Sequence, residues 1–347
     1  MTAQFRTPEA KMIELPTPCL LFLGDTTHLS YAKTAMGLKD WAPELCLAEI
    51  ALPAATVTTG LPRMTVVEAH AAGARSIVIG VAAEGGQIRD NWVPLLVEAL
   101  EAGLDIVSGM HSRVEDVPAL YAAVQRTGRR VIDVRRPPAN IAVATGERRT
   151  GKRLLTVGTD CALGKKYTAL AIARAFAARG VDCDFRATGQ TGIMIAGNGI
   201  PIDSVVADFV AGAAEMLSPA AAADHWDVVE GQGSLYHPAY ASVSLGLLHG
   251  TQPDVIVVCH EAGRTEIIGC PGYALPTLDD TIALNLMHAR RTNPAARCAG
   301  VSLNTASLSA ADAAELIAET AAALGMPVAD PIRGGAAFDG LVAACLA

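Results

Sequence analysis

One stretch constrains this chain more than any other. An apolar run, RLLTV at 153–157, leads into Gly158, Thr159, Asp160, Cys161, Ala162, Leu163, Gly164 and Lys165, and then into an alanine-rich segment at 165–179. The order reads as strand, glycine-flanked loop and long helix. Such a junction aims main-chain N–H groups and a helix N-terminus at one point, and that point favours phosphate. Lys165 adds a charge for phosphate oxygens, and the glycines let the backbone approach a ligand closely. A junction of this kind belongs in a parallel sheet. Further strand-like runs follow at 183–187, 228–230, 255–259, 300–303 and 326–329, with a helix at 310–324 between the last two.

The loop departs from the plain P-loop. Its spacing is G-x5-G-K, and the next residue is Lys166, where a Ser or Thr hydroxyl would hold Mg²⁺. Thr168 comes two positions later. Two adjacent lysines without that hydroxyl suit a pyrophosphate that is bound and not cleaved. Coenzyme A carries such a diphosphate, plus a 3′-phosphate.

The first half alternates in the same way. Strand-like runs at 19–23, 76–80, 105–108 and 131–134 are interleaved with helical sequence such as 92–102. Alternation from end to end predicts an α/β protein with parallel sheets. Arg135-Arg136-Pro137-Pro138 and the basic stretch 146–153 interrupt it, because paired prolines continue neither a helix nor a ladder. Two domains are therefore expected, 1–145 and 146–347, which also suits 347 residues. Hydrophobic residues at 51% exclude a mainly disordered chain. A net charge of −8 and 4% aromatics argue against nucleic acid and anionic membrane as partners. No apolar run is long enough for a membrane span, and the start, MTAQFRTPEAKMIELP, lacks a signal core; a cytoplasmic protein is expected. The eight cysteines include no C-x-x-C pair, and neither they nor the histidines cluster at zinc spacing, so no metal is expected.

Other candidate residues sit at strand ends, where ligands bind in open parallel sheets. Glu230, in Glu230-Gly231-Gln232-Gly233-Ser234, is a candidate general base or metal ligand. Thr188-Gly189-Gln190-Thr191 offers small polar groups near a ligand; Asp208 and Glu215, farther on, are expected on one helix face. His260 can move a proton near neutral pH, and Arg264 can hold a carboxylate. His237 and His249 read as packing residues. Asn304 and Pro331 mark strand ends where a purine would sit. In the first half Lys33, Thr34 and the run 108–111 are weaker candidates.

GTDCALGKK, ATGQTGIMIAG, EGQGSLYHPAY, SLGLLHG, PDVIVVCHEAGR and DVRRPP, in that set, resemble a bacterial and archaeal family that includes the D-glutamate N-acetyltransferases of the DgcN type. The resemblance covers nearly the whole chain. It implies an N-terminal Rossmann-like domain and a C-terminal P-loop domain, acetyl-CoA as donor, and D-glutamate or a related D-amino acid as acceptor. It places the coenzyme on Gly158, Thr159, Asp160, Cys161, Ala162, Gly164, Lys165, Lys166 and Tyr167, with Asn304 and Pro331. Glu230 or His260 would take the proton, with Lys165 on the diphosphate or the developing charge. Lys33, Gln190, Thr191 and Arg264 would hold the acceptor. A homo-oligomer is expected. The second half is also similar to dethiobiotin synthetase, which carries G-T-D-x-x-x-G-K-T and V-E-G-x-G; here Lys166 replaces the Thr. An Mg-ATP-dependent ligase or kinase is the alternative, and a non-catalytic nucleotide-binding module a third.

Overall fold

The computed structural model describes residues 13–82 and 84–347. Residues 1–12 of the N-terminal stretch read above lie outside the described residues. The chain divides into two compact units. One comprises 13–137 with Gln190–Pro201, and the other Pro138–Gly189 with Ile202–Ala347.

In the first unit the order is β1 (Cys19–Phe22), α1 (Lys33–Trp41), β2 (Cys46–Ile50), α2 (Val66–Ala71), β3 (Ser76–Ile79), α3 (Val93–Glu101), β4 (Asp105–Ser108), α4 (Pro118–Thr127) and β5 (Val131–Asp133). The sheet is all parallel, ordered β2-β1-β3-β4-β5. Strands β1, β3 and β4 are buried along their whole length, as apolar strands covered on both faces must be. Strand β2, CLAEI, escapes a reading by apolar runs because Glu49 stands in it. That carboxylate is fully buried and held by Thr58 Oγ1 at 2.7 Å, by Thr59 N–H and Oγ1 at 2.6 Å, and by Arg63 at 3.2 Å.

The second unit runs β6 (Lys152–Gly158), α5 (Lys165–Ala178) and β7 (Cys183–Arg186). The chain then supplies α6 (Gln190–Ala196) to the first unit, where Thr191 Oγ1 lies 3.0 Å from Thr34 Oγ1 on α1. It returns for α7 (Val210–Leu217), β8 (Trp226–Val229), α8 (Ala241–Thr251), β9 (Val255–Glu261), α9 (Leu278–Thr292), β10 (Arg297–Asn304), α10 (Ala310–Leu324), β11 (Val328–Ala329) and α11 (Gly335–Leu346). This sheet is also all parallel, ordered β11-β10-β9-β6-β8-β7. Its core packs Ile172 and Phe176 of α5 and Leu341 and Val342 of α11 against Leu154, Trp226, Val228, Val255 and Val257. Phe176 meets Trp226 edge to face at 5.4 Å.

Both units thus have the parallel-sheet architecture that the alternating pattern predicts. One expectation fails. Asp208 lies in a short turn, Ala207–Phe209, ahead of the helix that carries Glu215, so the two acids share no helix face. Glu215 instead accepts the N–H groups of Thr145 and Gly146, each at 2.9 Å.

Candidate active site

The loop between β6 and α5 has the conformation its glycines predict. Gly164 stands at φ +109°, and Ala162 is left-handed at φ +57°. The N–H groups of Ala162, Leu163, Gly164 and Lys165 have no acceptor among the described residues. They open the N-terminus of a 14-residue helix that has no side-chain cap. Orphan donors at a helix start, with the macrodipole behind them, form an anion cradle. Lys165 is 6% exposed, and its Nζ donates to the Asp160 carbonyl at 2.7 Å. Burial pushes its pKa down, opposed by the nearby Cys161, Cys259 and Asp160. Lys166 and Tyr167 are half-buried, with the ammonium 5.2 Å from the Tyr167 ring centre.

Asp160 is fully buried and fastens the loop. One oxygen accepts the Cys161 N–H at 2.6 Å. The other accepts Arg264 at 3.0 Å and the Ile268 N–H at 2.8 Å. Arg264 also donates to the Cys161 carbonyl at 2.7 Å and pairs with Glu261. The guanidinium is thereby shared between two acids and the loop backbone. His237 Nδ1 accepts the Ala239 N–H at 3.1 Å, which puts its proton on Nε2, facing the Ile268 carbonyl at 3.4 Å and Asp160 at 4.0 Å. A protonated Nε2 is no metal ligand, although Asp160, Cys161 and His237 lie close together. His237 therefore packs and props the loop.

Thr159 Oγ1 is 3.0 Å from His260 Nδ1, and its carbonyl accepts Ser234 Oγ at 3.0 Å. Burial and the charge of Arg264 lower the His260 pKa, which favours neutral imidazole, while Glu261 opposes the shift. Thr168 does not serve the loop mouth as a ligand hydroxyl. Its Oγ1 is buried between the Gly164 carbonyl at 3.1 Å and Ser302 Oγ at 2.7 Å.

Glu230 follows β8 and is 4% exposed. It accepts the N–H groups of Thr188 at 3.0 Å and Gly189 at 3.1 Å. Burial raises its pKa, against the charge of Lys166 and those two N–H groups. A carboxylate with a raised pKa at a sheet edge is a candidate base. The next residue must be glycine: a Cβ at Gly231 would lie 1.6 Å from the Thr156 carbonyl oxygen and 3.2 Å from the Lys165 side chain. That close approach sets the carboxylate-bearing turn against the root of the loop. Gln232 Nε2 steadies Thr188 at 3.0 Å, and Thr188 Oγ1 donates to the Glu230 carbonyl at 2.6 Å.

The second unit therefore brings together the loop residues, Lys165, Glu230, His260 and Arg264. Asn304 ends β10 beside Glu261, and its Oδ1 accepts the Ala306 N–H at 3.1 Å. Pro331 follows Asp330, whose carboxylate closes on the N–H of Thr305 at 3.0 Å. Lys33, Gln190 and Thr191 belong to the first unit. There Gln190 Oε1 accepts Arg135 at 3.4 Å, and Arg135 lies 3.3 Å from His111 Nδ1, at the ends of β5 and β4. His111 falls in the run 108–111 and Arg135 in the DVRRPP motif, both noted in the sequence; their contact with Gln190 was not legible there.

Two family profiles match the chain. A domain of unknown function, DUF1611_N, described as a Rossmann-like domain, matches residues 51–137. DUF1611_C, described as a P-loop domain, matches residues 141–339. A D-glutamate N-acetyltransferase from Tritonibacter scottomollicae is 47% identical over 94% of this chain and 97% of its own. One from Pseudoalteromonas sp is 45% identical over 95% of this chain and 99% of its own. The crystal structure of a DUF1611 family protein from Anabaena variabilis is similar at 33% identity and a TM-score of 0.85, covering 95% of this chain and 99% of that one.

Proposed function

Because the chain belongs to the DUF1611 family, we propose that it carries out the reaction for which its two curated relatives are named, N-acetylation of D-glutamate, with acetyl-CoA as the donor. The observation that carries this reading is identity of 45–47% over nearly the full length of both relatives. The CoA diphosphate is assigned to the loop, Gly158 to Lys165, with Lys166 and Tyr167 beside it. The unpaired N–H groups at the helix start support that assignment, and so does the absence of a ligand hydroxyl at position 166.

In the proposed step, Glu230 takes a proton from the substrate ammonium and frees the amine lone pair. The amine attacks the thioester carbonyl, charge gathers on its oxygen, and the C–S bond breaks as the intermediate collapses. The proton held by Glu230 then passes to the departing CoA sulfur, and the freed carboxylate takes the second proton from the acylated nitrogen and releases it to solvent, leaving the neutral amide. His260, kept neutral, is the second candidate for the proton. D-Glutamate carries two carboxylates, so Lys33 and Arg264 are assigned to them, with Gln190 and Thr191 on the acceptor side. Arg264 is already shared between Asp160 and Glu261. Asn304 and Pro331 are assigned to the purine. The scheme needs no metal, and self-association belongs to the same proposal.

The test is release of free thiol from acetyl-CoA with a panel of D- and L-amino acids, without Mg²⁺ or ATP. Release with D-glutamate alone supports the reading. No release with any amine, together with Mg²⁺-dependent formation of ADP from ATP, overturns it in favour of a dethiobiotin-synthetase-like reaction.

A further inference from the structure

At the edge of the second sheet opposite the phosphate-type loop, the starts of β7 and β8 bring Asp182, Asp184, His225 and Asp227 together. Asp227 pairs in register with Arg153, five residues before Gly158, so the cluster lies roughly 17 Å of strand from the loop. His225 is 9% exposed and Asp227 1%. The imidazole Nδ1 lies 2.8 Å from Asp182 Oδ2, a bond in which only the nitrogen can donate to a carboxylate. Nε2 is buried and makes no hydrogen bond among the described residues, yet it faces Asp227 Oδ1 at 3.4 Å and Asp184 Oδ2 at 3.8 Å.

Unprotonated, that nitrogen would aim its lone pair at two anionic oxygens; the repulsion is relieved by a proton, toward which Asp182, Asp227 and Asp184 push the imidazole against its burial, or by a metal cation among them. The separations suit a particular one. Ligand atoms around a tetrahedral ion with bonds of about 2.0–2.1 Å stand about 3.4 Å apart. One imidazole and two carboxylates are a donor set for zinc and its first-row neighbours rather than for calcium or magnesium. The Asp182 carboxylate behind Nδ1 is the partner that orients a metal-binding histidine. Arg186 donates to the same two oxygens, at 2.5 Å to Asp227 and 2.9 Å to Asp184. A carboxylate oxygen has a second lone pair, so this bond orients the acids without using them up. With the imidazole neutral, the immediate cluster, three carboxylates against one guanidinium, keeps two negative charges. Arg149 and Arg153, which also reach Asp227, face Glu215 and Asp254 in turn.

We infer that His225, Asp184 and Asp227 form a binding site for a zinc-class divalent ion, which fastens edge strand β7 to β8. The Asp184 side chain is 56% exposed, which leaves one coordination position to water. The site is remote from the proposed chemistry and independent of it.

The experiment uses tag-free full-length protein, stripped with chelator and titrated with cobalt(II) and zinc(II). One equivalent per chain, the intense visible absorption of tetrahedral cobalt, and displacement of that band by zinc are expected. Asp184→Asn, at a side chain 56% exposed, should weaken binding at least tenfold. His225→Gln should abolish the band. Substoichiometric metal without the band overturns the inference. So does a band that survives both substitutions, which would place the ion elsewhere. Nitrogen-15 signals showing both His225 ring nitrogens protonated in excess zinc would also overturn it, because a proton would then fill the gap.

Discussion

Lys165 Nζ donates to the main-chain oxygen of Asp160 at 2.7 Å, so the loop's own backbone holds the one ammonium buried at its centre. Burial disfavours that charge. The fold keeps a cation it would be more stable without, a cost expected at a ligand site. Lys165→Met should raise the KM for acetyl-CoA about 10- to 100-fold, through loss of a charge-assisted contact of about 1.5–3 kcal/mol. The melting midpoint should stay level or rise. A fall in midpoint with unchanged KM would assign Lys165 to structure alone.

Glu230 has the opposite signature, an acid whose folded pKa lies above its ordinary value because it is buried. As the base it must be ionised, so kcat/KM should rise with pH along a limb displaced above the usual carboxylate range. Glu230→Gln should remove that limb and lower kcat about 10²- to 10⁴-fold. The stability effect has a fixed sign. Below the unfolded pKa both states hold the proton and the burial of the carboxyl is unopposed. As pH rises from the unfolded pKa through the folded one, the native state loses stability by holding the buried charge. Glu230→Gln should therefore melt higher than the parent at pH 8 and level with it at pH 4. Equal midpoints at both pH values would contradict the assigned shift.

Strands built on apolar runs, such as CLLF ending at Phe22 and VIVVC within Val255–Glu261, were legible as soon as the chain was read. CLAEI was not, because a strand holding a buried Glu49 looks like a surface segment until Thr58, Thr59 and Arg63 close around the acid. The loop was legible for the opposite reason: all of its parts are consecutive. Arg264 shows what consecutive reading misses. It looked like a cation waiting for a substrate carboxylate. The sheet places β9 beside β6, with Cys259 opposite Gly158, and that adjacency delivers Arg264 to Asp160 across 104 positions of sequence. The contact of Thr191 with Thr34 is illegible in the same way, since 157 positions separate them.

The Asp160–Arg264 pair should behave as a buried ion pair. Asp160 is 0% exposed, and removal of its partner leaves an uncompensated charge. Arg264→Leu should cost about 3–5 kcal/mol of unfolding free energy in urea titration. Asp160→Asn with Arg264→Leu should recover part of it, since the fully buried carboxylate is then gone and only the part-exposed Glu261 loses its partner. If Arg264→Leu melts like the parent and only the KM for D-glutamate rises, the guanidinium serves the substrate and not the loop.

Thr168 supplies the sharpest separation between acetyl transfer and Mg-ATP chemistry. Its hydroxyl is committed to Gly164 and to Ser302, at 3.1 and 2.7 Å, inside the core. Thr168→Val keeps the shape but leaves the buried Ser302 hydroxyl with one partner fewer, a loss of about 1–3 kcal/mol. Stability should fall by that amount, while kcat and the KM for acetyl-CoA stay within about twofold, the scatter expected of a residue that touches no substrate. A ligase or kinase that used this hydroxyl on Mg²⁺ would instead lose nucleotide turnover by orders of magnitude. Steady-state rates with acetyl-CoA and with Mg-ATP, measured on the same preparation beside its melting curve, decide between the two.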